Sequence, residues 1–230
     1  MILSRRLGFA IVLIPRSGTT AVTAACEKVL RPGEILRFKH LTAASMAGHL
    51  QGLRVISIHR NPWARIYSEW WFHRCNLEAG PEFEPWAHAL VERWAKGDFE
   101  EFVVEKYLST RRLGWYSSYG FWPYYCHAPG SIELVTDPWP FEELATRWAA
   151  FAYSQGLPPL EVRNAASQGD YRDAYSPALR DEIGAWAAWE IERFGYDFSR
   201  GESNGALLSR GGEHGGLVRA RSAQSDSINQ

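Results

Sequence analysis

Lysine is scarce in this chain: of its 25 basic residues only Lys28, Lys39, Lys96 and Lys106 are lysine. Arginine at any one position therefore says little by itself, because it is the ordinary cation throughout. Cysteine is nearly as rare. Cys26, Cys75 and Cys126 lie far apart with no CxxC or Cys/His spacing, which excludes a zinc site or a disulfide framework and fits a reducing compartment. Net charge is also missing, with 25 basic against 26 acidic residues, so no global field draws the chain to nucleic acid or to an anionic membrane. Any anion must be recognised by charge placed locally. Long apolar runs are absent too: Phe9 to Ile14 is far short of a membrane span and ends in Pro-Arg instead of a small-residue cleavage site. A soluble, cytoplasmic protein is expected.

What is present is an alternation of strand and helix patterns. The segment "FAIVLI" runs into the loop "PRSGTT", and Val22, Cys26 and Val29 then recur at helical spacing before "RPG" at 31–33 stops the helix. A second unit follows in "EILRFKH" as a short strand, "TAASMAGHLQG" as a helix with Thr42 as N-cap, and "RVISIHR" as a β-branched strand. Asn61 then caps a helix that Pro62 opens, a position where the missing N–H of proline costs nothing. Asp98 with Glu101 predicts another N-terminus, "SIELVT" at 131–136 another strand, and Leu144, Trp148 and Phe151 a helix ended by "QGLPP". One long helix is expected from Ser176-Pro177 to Gly195. The order predicts an α/β fold, a P-loop-like three-layer α/β/α arrangement with a mainly parallel central sheet, over residues 1–200. From Gly201 to Gln230 the composition turns to Gly, Ser, Arg and Gln, and a flexible tail is expected.

The first loop has the frame of a phosphate cradle. Gly18 and Thr20 match the last glycine and the hydroxyl residue of a Walker-type loop, but Thr19 stands where the lysine belongs and Leu13 where the first glycine belongs. A triphosphate with its metal would lose its main cation contact. A single phosphate at a helix N-terminus needs less, and Arg16 supplies a charge early in the loop. The bland alternative is a strand-to-helix turn that needs Gly18 only for its backbone angles. A second anion site is suggested by "HRNPWARIYSEWW", in which Arg60 leaves a strand and Ser68 follows the Asn61 cap by nearly two turns. Arg65 in the same run reads equally as a solvated surface charge.

As an ordered set, "PRSGTT", "KHLTA", "RNPWARIYSEW", "DFEEFV", "FEEL" and "YRDAYSPALRDEI…IERFGYDF" resemble the motifs of bacterial and carbohydrate-type sulfotransferases that use 3'-phosphoadenosine 5'-phosphosulfate (PAPS), over roughly residues 9 to 198. The resemblance implies that Arg16, Ser17, Gly18, Thr19 and Thr20 hold the 5'-phosphosulfate and that Arg60 and Ser68 hold the 3'-phosphate. It also implies that Arg172 in the recurrent Tyr-Arg reaches the co-substrate, though an ion pair with Asp173 or Asp181 is an equal alternative. PAPS presents one phosphate to the loop and needs no metal, which accounts for the missing lysine frame. The family usually carries a lysine where Arg16 stands and an arginine where Pro140 stands, so the chain departs from the pattern at both places.

His40, after a predicted strand in "FKHLTA", is the expected catalytic base, with Arg16 stabilising the leaving group; helix-entry hydrogen bonding is the alternative for His40. His59 reads as structural, Lys39 as a sulfuryl contact or a solvent-facing side chain, and Glu100-Glu101 and Glu142-Glu143 as capping charge. The aromatic run 114–127 lines an acceptor cleft or belongs to the core. The expected partner is a small-molecule or glycan acceptor. Two rival readings are a small-molecule kinase with a degenerate loop and a catalytically silent nucleotide-binding protein of the same fold.

Overall fold

The computed structural model describes residues 1–36, 40–75, 92–109, 120–130, 132–161 and 169–199. Its centre is a four-stranded sheet made of β1 (Ile2–Ser4), β2 (Phe9–Val12), β3 (Arg54–His59) and β6 (Asp137–Pro140), in the order β1-β2-β3-β6. The β1–β2 pair is antiparallel, whereas β2–β3 and β3–β6 are parallel. The fold is therefore mixed α/β with a mainly parallel sheet. A second, two-stranded antiparallel sheet joins β4 (His127–Ala128) to β5 (Ile132–Glu133).

All four residues of β2 are buried, as expected for an interior parallel strand, and its continuous apolar run is the sequence counterpart of that burial. Alternate side chains go to different clusters because the strand period is two. Phe9, Ile11 and Leu13 join Val22, Ala25 and Cys26 of helix α1 (Thr19–Glu27) together with Leu144, Trp148 and Phe151 of the helix Leu144–Gln155. Ala10, Val12 and Ile14 join Trp63, Ala64 and Ile66 of helix α3 (Pro62–Cys75), Phe102 and Val103, Phe121 and Trp122, and Leu179 and Ile183. Asn61 caps α3 as expected, its Oδ1 accepting from the amides of Trp63 and Ala64. Asp98 Oδ1 accepts from Glu101 N, and Ser176 Oγ accepts from Leu179 N, so these two predicted N-termini also stand.

Four expectations need correction. The third parallel strand is "DPWP", not "SIELVT": Ile132–Glu133 belong to the small sheet, and β6 pairs with β3 through Ile56–His59. Two prolines are tolerated there because β6 is an edge strand, and residues two apart turn their missing donors to the same, open side. Between them Trp139 is buried in the core. Only Ile35 of "EILRFKH" makes a bridge, to Ile2, and residues 37–39 lie outside the described residues. The helix after Thr42 is shorter than expected, a 3₁₀ turn Ala44–Met46 followed by α2 (Ala47–Leu50), with Thr42 Oγ1 accepting from Ser45 N. The last helix breaks in two at Ala187, as Pro177–Trp186 and Ala188–Phe194. That break carries Glu190 to the buried amide of Trp122, which donates to its Oε1 at 2.7 Å. The expected tail, residues 201–230, lies outside the described residues.

Candidate functional site

Strands β2 and β3 run parallel and adjacent, with Val12 opposite Ser57, so the segments leaving their carboxyl ends emerge side by side. Open parallel sheets hold ligands in the crevice outside those ends. After β2 the chain turns through Pro15-Arg16-Ser17-Gly18 into α1. Arg16 takes a φ of 62° and Gly18 a φ of 74°, both left-handed; Arg16 is the sole non-glycine residue with positive φ among the described residues. Glycine is required at 18 for space as well, since a Cβ there would lie 2.5 Å from Leu144 Cδ2 and 3.4 Å from Phe141 Cε2. The first helical hydrogen bond runs from Val22 N to Gly18 O, so the amides of Thr19 and Thr20 precede the ladder.

Helix α3 supplies the floor of this loop. Arg65, Ser68, Glu69 and Phe72 recur at i, i+3, i+4 and i+7, one face of a helix. Arg65 Nη1 donates to Pro15 O at 2.5 Å, Ser68 Oγ accepts from Arg16 Nη2 at 3.3 Å, and the Phe72 ring lies 4.4 Å from the Arg16 guanidinium carbon. From the end of β3, Arg60 Nη1 donates to Arg16 O at 2.9 Å and its guanidinium covers the Phe141 ring at 4.3 Å. Arg65 is buried, with 1% exposure, so its alternative as a solvated surface charge is excluded.

The charges beneath the loop are compensated by one carboxylate. Glu69 is buried and accepts from Lys106 Nζ at 2.7 Å and from the Tyr107 hydroxyl, both carried by the π-helical turn Val104–Leu108. Burial opposes ionisation of Glu69, but Lys106, Arg65 and His73 outweigh it and hold the carboxyl well below its ordinary range. Burial draws the Arg16 guanidinium down to about 10, with Glu69 opposing and Arg60 and Arg65 adding to the fall, so Arg16 stays charged at neutral pH. Arg16 Nε and Ser17 Oγ in the loop have no hydrogen-bond partner among the described residues. Buried polar groups are normally paired, and unpaired ones at a helix N-terminus suit an anion.

His40 stands beside the loop, with Nδ1 2.6 Å from Leu13 O. A carbonyl only accepts, so the neutral ring carries its proton on Nδ1 and its lone pair on Nε2. The remaining predicted residues divide sharply. Ser17 and Thr19 are buried, and Gly18 and Thr20 are partly exposed. The side chain of Arg172 donates to Asp170 Oδ2 and to the carbonyls of Phe198 and Ser199, and is thereby tied to the segment that follows the helix Ala188–Phe194. His59 stacks on Phe194 with 3.7 Å between centroids and lies 2.6 Å from the Tyr196 hydroxyl; burial, then Arg147 and Arg193, push it down to about 3. That is a structural histidine, as expected. In the aromatic run, Phe121, Trp122 and Tyr125 are core residues, while 110–119 lie outside the described residues, as does Lys39.

Sequence reasoning missed Glu69, Phe72, Lys106 and Phe141. A helical wheel of "RIYSEWWF" would have flagged the first two; Lys106 comes from a distant segment with no local signal, and Phe141 opens the "FEEL" motif without a role assigned to it there. Among the described residues, no group of three His, Cys, Asp or Glu side chains is placed to hold a metal, and no helix is long and apolar enough to cross a membrane. A groove of about 420 Å³ lined by Trp63, Arg180, Asp181, Asp197 and Phe198 shares no residue with the loop. No family model, curated protein or solved structure matches this chain.

Proposed function

We propose that the protein is a PAPS-dependent sulfotransferase on a P-loop-like three-layer α/β/α scaffold, transferring a sulfuryl group to an acceptor hydroxyl of a small molecule or glycan. The observation that carries this reading is the direct meeting of its two anion motifs: Arg16 donates to Ser68, and Arg60 donates to Arg16 O. Two phosphate-recognising segments in contact suit one ligand bearing two closely spaced anionic groups, as a 3',5'-substituted adenosine does. The unpaired Ser17 Oγ and Arg16 Nε fit the same chemistry. The scaffold proposal is supported by the two buried clusters that divide the side chains of β2 between different sets of helices.

In this reading the loop amides, Arg16 and the α1 N-terminus hold the 5'-phosphosulfate, and Arg60 and Ser68 hold the 3'-phosphate. Transfer is an in-line displacement: the acceptor oxygen bonds to sulfur as the bridging S–O bond to the 5'-phosphate breaks. Arg16 and the amides stabilise the charge gathering on the departing phosphate. His40 Nε2 receives the acceptor proton, the Leu13 carbonyl holding the ring in the tautomer that can do so. Adenosine 3',5'-bisphosphate is released.

Calorimetry with adenosine 3',5'-bisphosphate and with ATP, both in chelator, tests the reading, followed by an acceptor screen with labelled PAPS. Micromolar binding of the bisphosphate with weaker ATP binding is expected. Preference for ATP with a magnesium requirement would replace this reading with a kinase.

A further inference from the structure

The loop owes its shape to two arginines that grip its carbonyls from below. Pro15 O accepts from Arg65 Nη1, and Arg16 O accepts from Arg60 Nη1. A trans peptide is planar, with its N–H directed opposite to its C=O, so a carbonyl held in place also aims the following amide. Gripping Pro15 O therefore turns the Arg16 amide away from Arg65, and gripping Arg16 O turns the Ser17 amide away from Arg60. Between these two peptides Arg16 sits at a φ of 62°, a conformation that a non-glycine residue keeps only where its surroundings enforce it.

Arg65 itself is an odd occupant of the core. Its Nε and Nη2 have no hydrogen-bond partner among the described residues, and its guanidinium lies over the Phe121 ring at 1% exposure. A buried cation with unpaired donors is a poor source of stability. Besides its attraction to Glu69, its side chain is tied to the loop by the hydrogen bond to Pro15 O.

We propose that Arg65 is a positioning residue for anion binding: it holds the Pro15 carbonyl so that the loop amides face the incoming anion, without touching that anion itself. This rests on the reading of the loop as an anion site and adds to it a residue that the motif comparison left unassigned. A lysine at 65 keeps the charge but not the planar fork, and an alanine leaves a guanidinium-sized gap.

The test uses the full chain with Arg65→Lys and Arg65→Ala. Inorganic phosphate and adenosine 3',5'-bisphosphate are titrated separately by calorimetry, and the backbone amide resonances of Arg16 and Ser17 are followed by NMR. Both variants are expected to melt cooperatively, to shift both resonances, and to bind each anion at least about tenfold more weakly, a loss of about 1.4 kcal/mol. Guanidinium ion added to Arg65→Ala, far below denaturing concentrations, should restore affinity. Unchanged affinity, unmoved amides, a loss that guanidinium does not repair, or failure of both variants to fold would each overturn the proposal, the last by making Arg65 a framework residue. Wild-type protein that binds phosphate but not the bisphosphate refutes the sulfotransferase reading alone, and phosphate weakening in Arg65→Lys then still supports the positioning role. Wild-type protein that binds neither anion overturns both.

Discussion

The Arg16 guanidinium lies 3.3 Å from the Ser68 hydroxyl, across 52 residues of sequence, and this contact joins the strand-following loop to the helix that begins after the neighbouring strand. It exists because β2 and β3 are parallel neighbours whose carboxyl ends share one edge of the sheet. In the proposed reading Ser68 serves Arg16 without ligand and the 3'-phosphate with it.

Ser68→Ala removes the acceptor for Arg16 and a donor to the proposed 3'-phosphate. Hydrogen bonds to charged groups contribute about 1.5–3 kcal/mol, so adenosine 3',5'-bisphosphate should bind roughly 10- to 100-fold more weakly. Calorimetry on a variant with a near-wild-type melting temperature checks this; equal affinity would remove Ser68 from the site.

Gly18→Ala should damage both fold and loop. The new methyl meets Leu144 Cδ2 at 2.5 Å on a backbone at φ 74°, so strain and overpacking add. A loss of about 2 kcal/mol or more is expected, read as a fall of several degrees in melting temperature. Leu144→Ala combined with Gly18→Ala should relieve the steric part but not the backbone part.

The Glu69–Lys106 pair should be costly to break from either side. Both side chains are buried, and leaving one charge uncompensated costs about 3–5 kcal/mol. Glu69→Gln and Lys106→Met are each expected to lower the urea midpoint strongly, and the double variant to recover much of the loss. Because the folded carboxyl of Glu69 lies below its unfolded value, its contribution is present above the unfolded value and is lost as pH falls through the folded one. Acid unfolding should accordingly be less steep in the double variant.

Glu190 works in the opposite sense. Burial pushes its carboxyl up to about 7, against the pull of the Trp122 amide and Arg65. A raised folded value means that the folded state holds the proton more tightly, so stability is full below the unfolded value and declines as pH rises towards about 7. Glu190→Gln keeps an acceptor for Trp122 N, and should flatten this decline in denaturant titrations between acid and neutral pH. A slope identical to wild type would show that Glu190 is ionised in the fold throughout.

If labelled PAPS reveals an acceptor, His40→Ala should lower turnover by about 10²–10⁴-fold, the usual contribution of a general base, while bisphosphate affinity stays within about twofold. Unchanged turnover would return His40 to a loop-fastening role through Leu13 O.

Local physics was legible in the chain wherever a few neighbouring residues suffice. Apolar β2, the Asn61, Asp98 and Ser176 caps, and Gly18 at a strand-to-helix turn all follow from periodicity, side-chain acceptors or backbone freedom. Pairing was less legible. "DPWP" looks like a loop because proline cannot donate, and only its place at the sheet edge makes it a strand. The break at Ala187 likewise has no proline or glycine of its own; it belongs with Glu190 meeting Trp122 N across the fold.

By itself the sequence determined the α/β alternation, the glycine loop that leads from a strand into a helix, and the spacing of Arg65, Ser68, Glu69 and Phe72 along one helical face. Tertiary structure alone decided that this face lies under that loop, that Arg65 is buried against Pro15 O, that Arg172 grips the carbonyls of Phe198 and Ser199, and that Lys106 arrives to balance Glu69. The reason is range: helix period and capping act over a few residues, whereas charge compensation in a low-dielectric interior depends on groups dozens of residues apart, whose proximity follows from strand order.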